Sequence, residues 1–388
     1  MMSIQQIDDT YVAHTYARFP VALQNGKGSL VWDADGKEYI DLGSGIAVNG
    51  FGIADEAWLK AVTEQLTRLP HASNLYYTEP CAKLAQMLCQ RTGMKRVFFG
   101  NSGAEANECL IKAARKYAAE KHGADCYTIV TLKNSFHGRT LTTLSATGQD
   151  HYHELYQPLT PGFAHIAPGD MAGLKALAEQ TKIAAVLIEC VQGEGGVVPL
   201  DRAFTDALQA FCAENDILLA VDEVQTGNGR SGQLYAYMCF DLKPDIVSTA
   251  KGLGGGLPIG ACLLGEKVQD VFGPGDHGST FGGNPASCAG GVSILSRMDD
   301  ALLQGVRERS RYIFDQLTGA KGVESVSGLG LMIGVKTVRP AREVVMKCIE
   351  NGVLCLTAKD RVRLLPALNI PMDQLKKAVA VLKAACAE

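Results

Sequence analysis

Through its middle the chain alternates short, continuously apolar runs with longer amphipathic stretches. Val97–Phe99 reads as a strand, followed by a Gly/Asn/Ser loop and a helix from about Ala104 to Lys121 that stops at Gly123. Tyr127–Leu132, Ala184–Ile188, Ile217–Val221, Asp245–Thr249 and Ile259–Leu264 read as further buried strands. Strands that are apolar on both faces and alternate with helices predict an α/β fold whose mostly parallel sheet is covered on both sides. Near the start, Leu30–Asp33 and Glu38–Leu42 flank an Asp35-Gly36 turn and predict a hairpin. Toward the end a helix (Leu302–Leu317) mixes with short strands (Val323–Val326, Met332–Val335, Val362–Leu365). The expected organisation is a large domain over residues 46–290 and a smaller α+β domain built from residues 1–45 and 291–388.

Composition narrows the function. The formal net charge of −4 over 388 residues excludes a strongly basic nucleic-acid footprint and an acidic tail. Glycine occupies 42 positions, above the usual share of about 7%, which calls for tight turns and close backbone approach to a ligand. The 12 cysteines contain no C-x-x-C pair and read as reduced core thiols, so a cytoplasmic location is expected. The opening MMSIQQIDDT lacks a basic-then-apolar leader, and no apolar run approaches the roughly 20 residues of a membrane span. His151 and His153 lack a third ligand at a suitable spacing, so no metal site is expected. The run Gly252-Leu253-Gly254-Gly255-Gly256-Leu257 lacks the third glycine of G-x-G-x-x-G. Gly328-Leu329-Gly330 introduces a strand instead of a helix, which leaves no dinucleotide motif.

Three stretches carry chemistry. Ser102, Gly103 and Ala104 sit where a strand ends and a helix begins, so free N–H groups there could hold a phosphate. A plain capped helix start, with Ser102 as N-cap and Glu105 as its partner, explains the same residues. Asp222 ends the buried run Leu218–Val221, where ligands bind in open α/β sheets; a protonated ring nitrogen would partner it, and an Asp capping the next turn is the alternative. Lys251 ends the run from Asp245 in front of a glycine-rich loop. A desolvated lysine there suits Schiff-base chemistry, and a lone surface lysine is the alternative. Phosphate cradle, deep acid and lysine on successive strand ends together describe a pyridoxal 5'-phosphate site.

With these residues in view, the sequence resembles the class-III (ω-amino) aminotransferases, in particular the bacterial acetylornithine aminotransferases. The motifs are NSGAEANE from Asn101, SFHGRT from Ser135, QGEGG from Gln192, DEVQTG from Asp222, AKGLGGGLPIGA from Ala250 and STFGGNP from Ser279. The resemblance implies the pyridoxal-phosphate transferase fold of aspartate aminotransferase, with a seven-stranded-type sheet. It implies Lys251 as the residue that holds pyridoxal 5'-phosphate, Asp222 at its ring nitrogen with Glu223 beside it, and Gln225 at its phenolic oxygen. Phe136 and Val224 would flank the ring. Ser102, Gly103 and Ala104 would hold the phosphate, joined by Thr280 of a neighbouring subunit, so a homodimer with a shared site is expected.

For substrates, the resemblance implies Arg139 as the anchor of an α-carboxylate, with Ser279 nearby. Tyr16 would help define the distal pocket. Glu194 would cover Arg363 while an ω-amino donor reacts, and would free it for glutamate or 2-oxoglutarate. The implied reaction is transamination of N-acetyl-L-ornithine with 2-oxoglutarate, in arginine biosynthesis. Succinylated diamino acids, ornithine, 4-aminobutyrate and an aminomutase reaction stay open. A regulator with a dead catalytic domain would call for a basic module ahead of the hairpin and loss of Lys251, which is present. Three positions depart from the family pattern: Ala104 stands where threonine is frequent, Cys190 where proline is, and Phe51–Glu56 lacks the usual histidines. The first predicts slightly weaker phosphate binding.

Overall fold

The computed structural model describes residues 2–388. Its centre is a seven-stranded sheet in the spatial order Arg96–Gly100, Gly260–Leu264, Ile246–Thr249, Leu218–Asp222, Ile183–Ile188, Thr128–Leu132 and Phe163–Ile166. Every residue of the five strands from Gly260–Leu264 to Thr128–Leu132 is buried, the property that makes them read as unbroken apolar runs. The five strands from Ile246–Thr249 to Phe163–Ile166 are mutually parallel. Gly260–Leu264 runs antiparallel to both of its neighbours. Between Thr249 and Gly260 the chain holds a 3-10 turn and no α-helix, too little for a crossover, so it must double back.

The helix Gly103–His122 crosses this sheet. Its buried residues Ala106, Leu110, Ala113, Ala114 and Tyr117 recur at three- and four-residue steps, and the Leu110–Ala114 stretch packs on Ile129, Ala185, Leu218 and Ile246. Full burial of a side chain such as Leu110 is worth about 1.5–3 kcal/mol. The helix ends at Gly123, whose φ of +99° disfavours a side chain.

The two ends of the chain meet in a second sheet. Leu23–Lys27, Leu30–Asp33 and Glu38–Asp41 form an antiparallel meander, and Val353–Leu354 joins it parallel to Glu38–Asp41. A third sheet, all antiparallel, orders Val323–Leu329, Met332–Thr337, Arg361–Leu364 and Leu356–Ala358. A buried guanidinium ties this part to the large sheet's loops: Arg230 Nη1 donates to the carbonyls of Leu331 and Pro366. Burial pushes the pKa of Arg230 down to about 9, since no carboxylate offsets the loss of water.

The sequence reading missed Leu23–Lys27, Phe163–Ile166 and Leu356–Ala358. The first has the polar sequence LQNGK, is mostly exposed, and shifts register between Leu23 and Asn25; the second is an edge strand with no fully apolar run. No helix among the described residues is long and apolar enough to cross a membrane.

Candidate active site

The parallel strands end at a cavity of about 240 Å³, and the sequence-predicted acid and lysine both line it. Asp222 is the last residue of its strand. Its Oδ2 accepts from His137 Nδ1 at 2.8 Å and from Asn107 Nδ2 at 2.7 Å, and Oδ1 accepts from the Val224 N–H at 2.9 Å. These donors meet the requirement of a carboxylate that is only 3% exposed. Asn107 also donates to the His137 carbonyl at 2.8 Å, so acid, imidazole and amide form one unit. His137 Nε2 is buried without a hydrogen-bond partner among the described residues.

Lys251 follows the strand Ile246–Thr249 with a φ of +46°, a left-handed conformation that costs a residue with a side chain about 1–3 kcal/mol. Asn228 holds the backbone there by donating to Thr249 Oγ1 at 3.0 Å and to the Ala250 carbonyl at 3.1 Å. The kink aims the side chain into the cavity. Desolvation lowers its pKa to about 8; Arg363 adds to the fall, while Glu194, Asp222 and Glu189 oppose it.

Gly103 and Ala104 open the 20-residue helix and line the cavity with N–H groups that have no carbonyl in their own helix. Ser102 is the N-cap, its Oγ accepting from the Glu105 N–H at 3.2 Å. The Glu105 carboxylate reaches past it to the Asn101 N–H at 2.6 Å, so the cap is not the reciprocal box of the sequence pattern. A Cβ on Gly103 would meet Val224 Cγ1 at 2.6 Å, so only glycine fits beside this valine. Val224 and Phe136 both line the cavity.

Arg363, in the strand Arg361–Leu364, has a side chain 4% exposed; Nη1 donates to Glu194 Oε1 at 2.5 Å and to Gln225 Oε1 at 3.2 Å. Gln225 Nε2 in turn lies 3.4 Å from Glu194 Oε1. Burial raises the Glu194 pKa, but Arg363 and Lys251 outweigh it and leave it below the ordinary value. Glu194 and Gln225 line the cavity and Arg363 stands behind them, outside its lining, whereas Arg139 lines it and is exposed; its Nη2 donates to Tyr152 Oη at 3.3 Å.

Other sequence-predicted residues stand elsewhere. Glu223 turns into the protein, where its carboxylate accepts from Thr226 Oγ1 at 2.5 Å and the Tyr237 N–H at 2.7 Å, and burial raises its pKa to about 7. Its side chain thus braces the loop behind Asp222 and lines no part of the cavity. The Ser102 hydroxyl serves its helix cap and lies outside the cavity lining. Ser279 lies outside the cavity lining that holds Arg139: its Oγ accepts from Asn101 Nδ2 at 3.2 Å and the Gly282 N–H at 2.9 Å. Thr280 lies exposed on the same loop, and Tyr16, 74% exposed under the Arg18 guanidinium, lines no part of the cavity.

Sequence reasoning missed Asn107, His137 and Glu189. Glu189 directly follows the strand Ile183–Ile188, the same strand-end position that drew attention to Asp222. Its carboxylate accepts from the N–H groups of Phe136 at 3.0 Å and Gly193 at 3.3 Å, joining two walls of the cavity, and burial raises its pKa to about 7.

Residues 11–386 match the family model described as aminotransferase class-III. The chain is 51% identical over 381 residues to an acetylornithine aminotransferase of Haemophilus ducreyi, covering 98% of this chain and 97% of that one. It is 44% identical to one of Aquifex aeolicus, covering 96% and 99%. Among solved structures, the ornithine aminotransferase of Toxoplasma gondii superposes with a TM-score of 0.94 at 32% identity, covering 98% of this chain and 93% of that one. The N-acetylornithine aminotransferase of Stenotrophomonas maltophilia does so with a TM-score of 0.84 at 34% identity, covering 98% and 97%. With a family match that spans nearly its whole length, and with acid, lysine and helix N-terminus gathered at one cavity, the chain belongs to the class-III aminotransferases.

Proposed function

We propose that this aminotransferase moves the ω-amino group of N-acetyl-L-ornithine to 2-oxoglutarate, yielding N-acetyl-L-glutamate 5-semialdehyde and L-glutamate in arginine biosynthesis. The observation that carries the substrate reading is the contrast between two arginines. Arg139 faces the cavity with no carboxylate partner among the described residues, whereas Arg363 is covered by Glu194. One free guanidinium suits a donor with a single carboxylate, and a second, uncovered on demand, suits a dicarboxylate. The acetylornithine aminotransferases among the relatives support the same donor.

The cavity fits pyridoxal 5'-phosphate. The helix N-terminus at Gly103 and Ala104 suits the phosphate, Phe136 and Val224 offer apolar walls, and the buried Asp222 carboxylate suits a protonated ring nitrogen. When bound, that group supplies the electron sink that makes the donor's C–H bond acidic. Lys251, poised near neutrality, would take the proton from the donor carbon at Nζ and pass it on instead of restoring it there, which leaves that carbon oxidised to the carbonyl level. Glu189 and Asn107 hold the surrounding loops in place, and Arg139 orients the donor.

A homodimer is part of this reading. Asn74 Nδ2 donates to the carbonyls of Ser279 and Gly282, so the loop carrying Thr280 and Phe281 adjoins Leu75, Tyr76 and Tyr77. Phe281 is 58% exposed and Leu75 87%, with both tyrosines open as well, an apolar face that a second copy would cover. Thr280 on that face would then complete the phosphate site of the other copy. The twelve free cysteines support a reducing cytoplasm.

The test is an absorbance spectrum of the protein with pyridoxal phosphate, before and after N-acetylornithine and without keto acid. A yellow band that N-acetylornithine bleaches is expected. The likeness to an ornithine aminotransferase favours a second reading, and bleaching by ornithine alone would select it.

A further inference from the structure

We propose that Tyr152 is a positioning residue for Arg139, aiming its guanidinium at the cavity while leaving its charge free; this rests on reading Arg139 as the carboxylate anchor. An exposed arginine on a loop samples many rotamers, and a protein fixes one by giving it a partner. A carboxylate partner would compete with the substrate. Here the partners are neutral. The guanidinium carbon lies 4.2 Å from the Tyr152 ring centroid and 5.5 Å from that of Phe136, and Nη2 donates to Tyr152 Oη at 3.3 Å. Aromatic faces attract the cation without neutralising it, and one phenol oxygen takes one of five N–H donors. The fork stays available for a bidentate carboxylate.

Tyr152 is itself braced from three sides. It closes the 3-10 turn Asp150–Tyr152, with its N–H donating to the Gln149 carbonyl at 3.1 Å. Gln149 Nε2 donates to the Ser135 carbonyl at 3.0 Å, which ties this turn to the segment that carries Phe136 and Arg139. The Tyr152 ring meets Phe136 edge-on at 6.1 Å and 69°, and the His151 ring lies at 3.9 Å. The wall that faces the cofactor's place and the arm that holds the substrate therefore share one aromatic support.

The experiment compares the holoenzyme with its Tyr152→Ala, Tyr152→Phe and Arg139→Ala variants, using N-acetylornithine and 1-aminopentane, an amine without a carboxylate. Retention of the yellow band shows that each variant folds. Tyr152→Ala should raise KM for N-acetylornithine about tenfold, the scale of a lost cation–π support, with kcat within about twofold. Tyr152→Phe should restore most of it, 1-aminopentane should react unchanged, and adding Tyr152→Ala to Arg139→Ala should cost little more. An equal loss for both amines, or an unchanged KM in Tyr152→Ala beside a raised one in Arg139→Ala, overturns the positioning role alone. An unchanged KM in Arg139→Ala overturns the anchor reading and the positioning role with it.

Discussion

Glu194 Oε1 lies 2.5 Å from Arg363 Nη1, and the side chain of Gln225 touches both members of the pair. The pair sits where one carboxylate can stand in for another. With Glu194 in place Nη1 is engaged, while the buried Nε has no partner among the described residues; in the proposed reading, turning Glu194 away would offer the guanidinium to an incoming dicarboxylate.

Glu194→Gln should therefore tilt the enzyme toward glutamate. The amide holds Arg363 less firmly, so KM for glutamate should fall several-fold while that for N-acetylornithine rises by about fivefold to tenfold. Single-turnover absorbance with each donor measures both. Equal shifts for the two donors would mark the pair as a brace with no part in substrate choice.

Asp222→Asn should lower kcat by about 10²–10⁴ while costing the fold only about 1–3 kcal/mol. His137 Nδ1 and Asn107 Nδ2 both point at Oδ2, so an amide cannot accept from both if its nitrogen takes that place. Turnover and melting temperature together check this; a large fall in Tm with little loss of turnover would reduce Asp222 to a structural group.

The lysine predicts a pH dependence. Its pKa in the fold is about 8, below the 10.5 of a free lysine, so the free amine gains population as pH rises through 8. Covalent uptake of pyridoxal phosphate by the cofactor-free protein should follow that midpoint. Between about 8 and 10.5 the unfolded chain binds more protons at this site than the folded one, so its contribution to stability rises with pH across that window. The Tm advantage of a Lys251→Met variant without cofactor should shrink from pH 8 to pH 10. A constant difference would refute the shift.

Gly103→Ala tests the phosphate end by sterics alone. The new methyl would overlap Val224 Cγ1, and retention of pyridoxal phosphate through dialysis should drop by about tenfold. Val224→Ala in the same chain should recover part of it. If the single variant retains the cofactor as well as the parent, the helix start is not its phosphate site.

The large sheet was legible in the sequence because its central strands are buried on both faces, so burial wrote itself into unbroken runs such as Ile183–Ile188. Acid and lysine were legible because strand ends are where such a sheet exposes chemistry. Glu223 and Asp222 part ways because adjacent residues at a strand end point to opposite sides: Asp222 faces the cavity and its neighbour faces the core. Tyr152 left no signal, since its role depends on a turn that folds back on Ser135 through Gln149. Ser279 and Thr280 lie on a loop whose partners in the fold, Asn74 and Asn101, are far away in sequence, which no local pattern encodes.

The buried tie of Arg230 to Leu331 and Pro366 decides which half of the Glu194–Arg363 pair can move. Arg363 is fixed in a strand paired on both sides, with Pro366 clasped just beyond it, whereas the Glu194 side chain is 30% exposed in a turn. In the proposed reading, uncovering the arginine would take one rotamer change, a matter of picoseconds to nanoseconds for an exposed group and slower, yet still far from domain motion, for a half-exposed one. The change of donor between half-reactions would then carry no clock of its own, and thickening the solvent should leave it untouched.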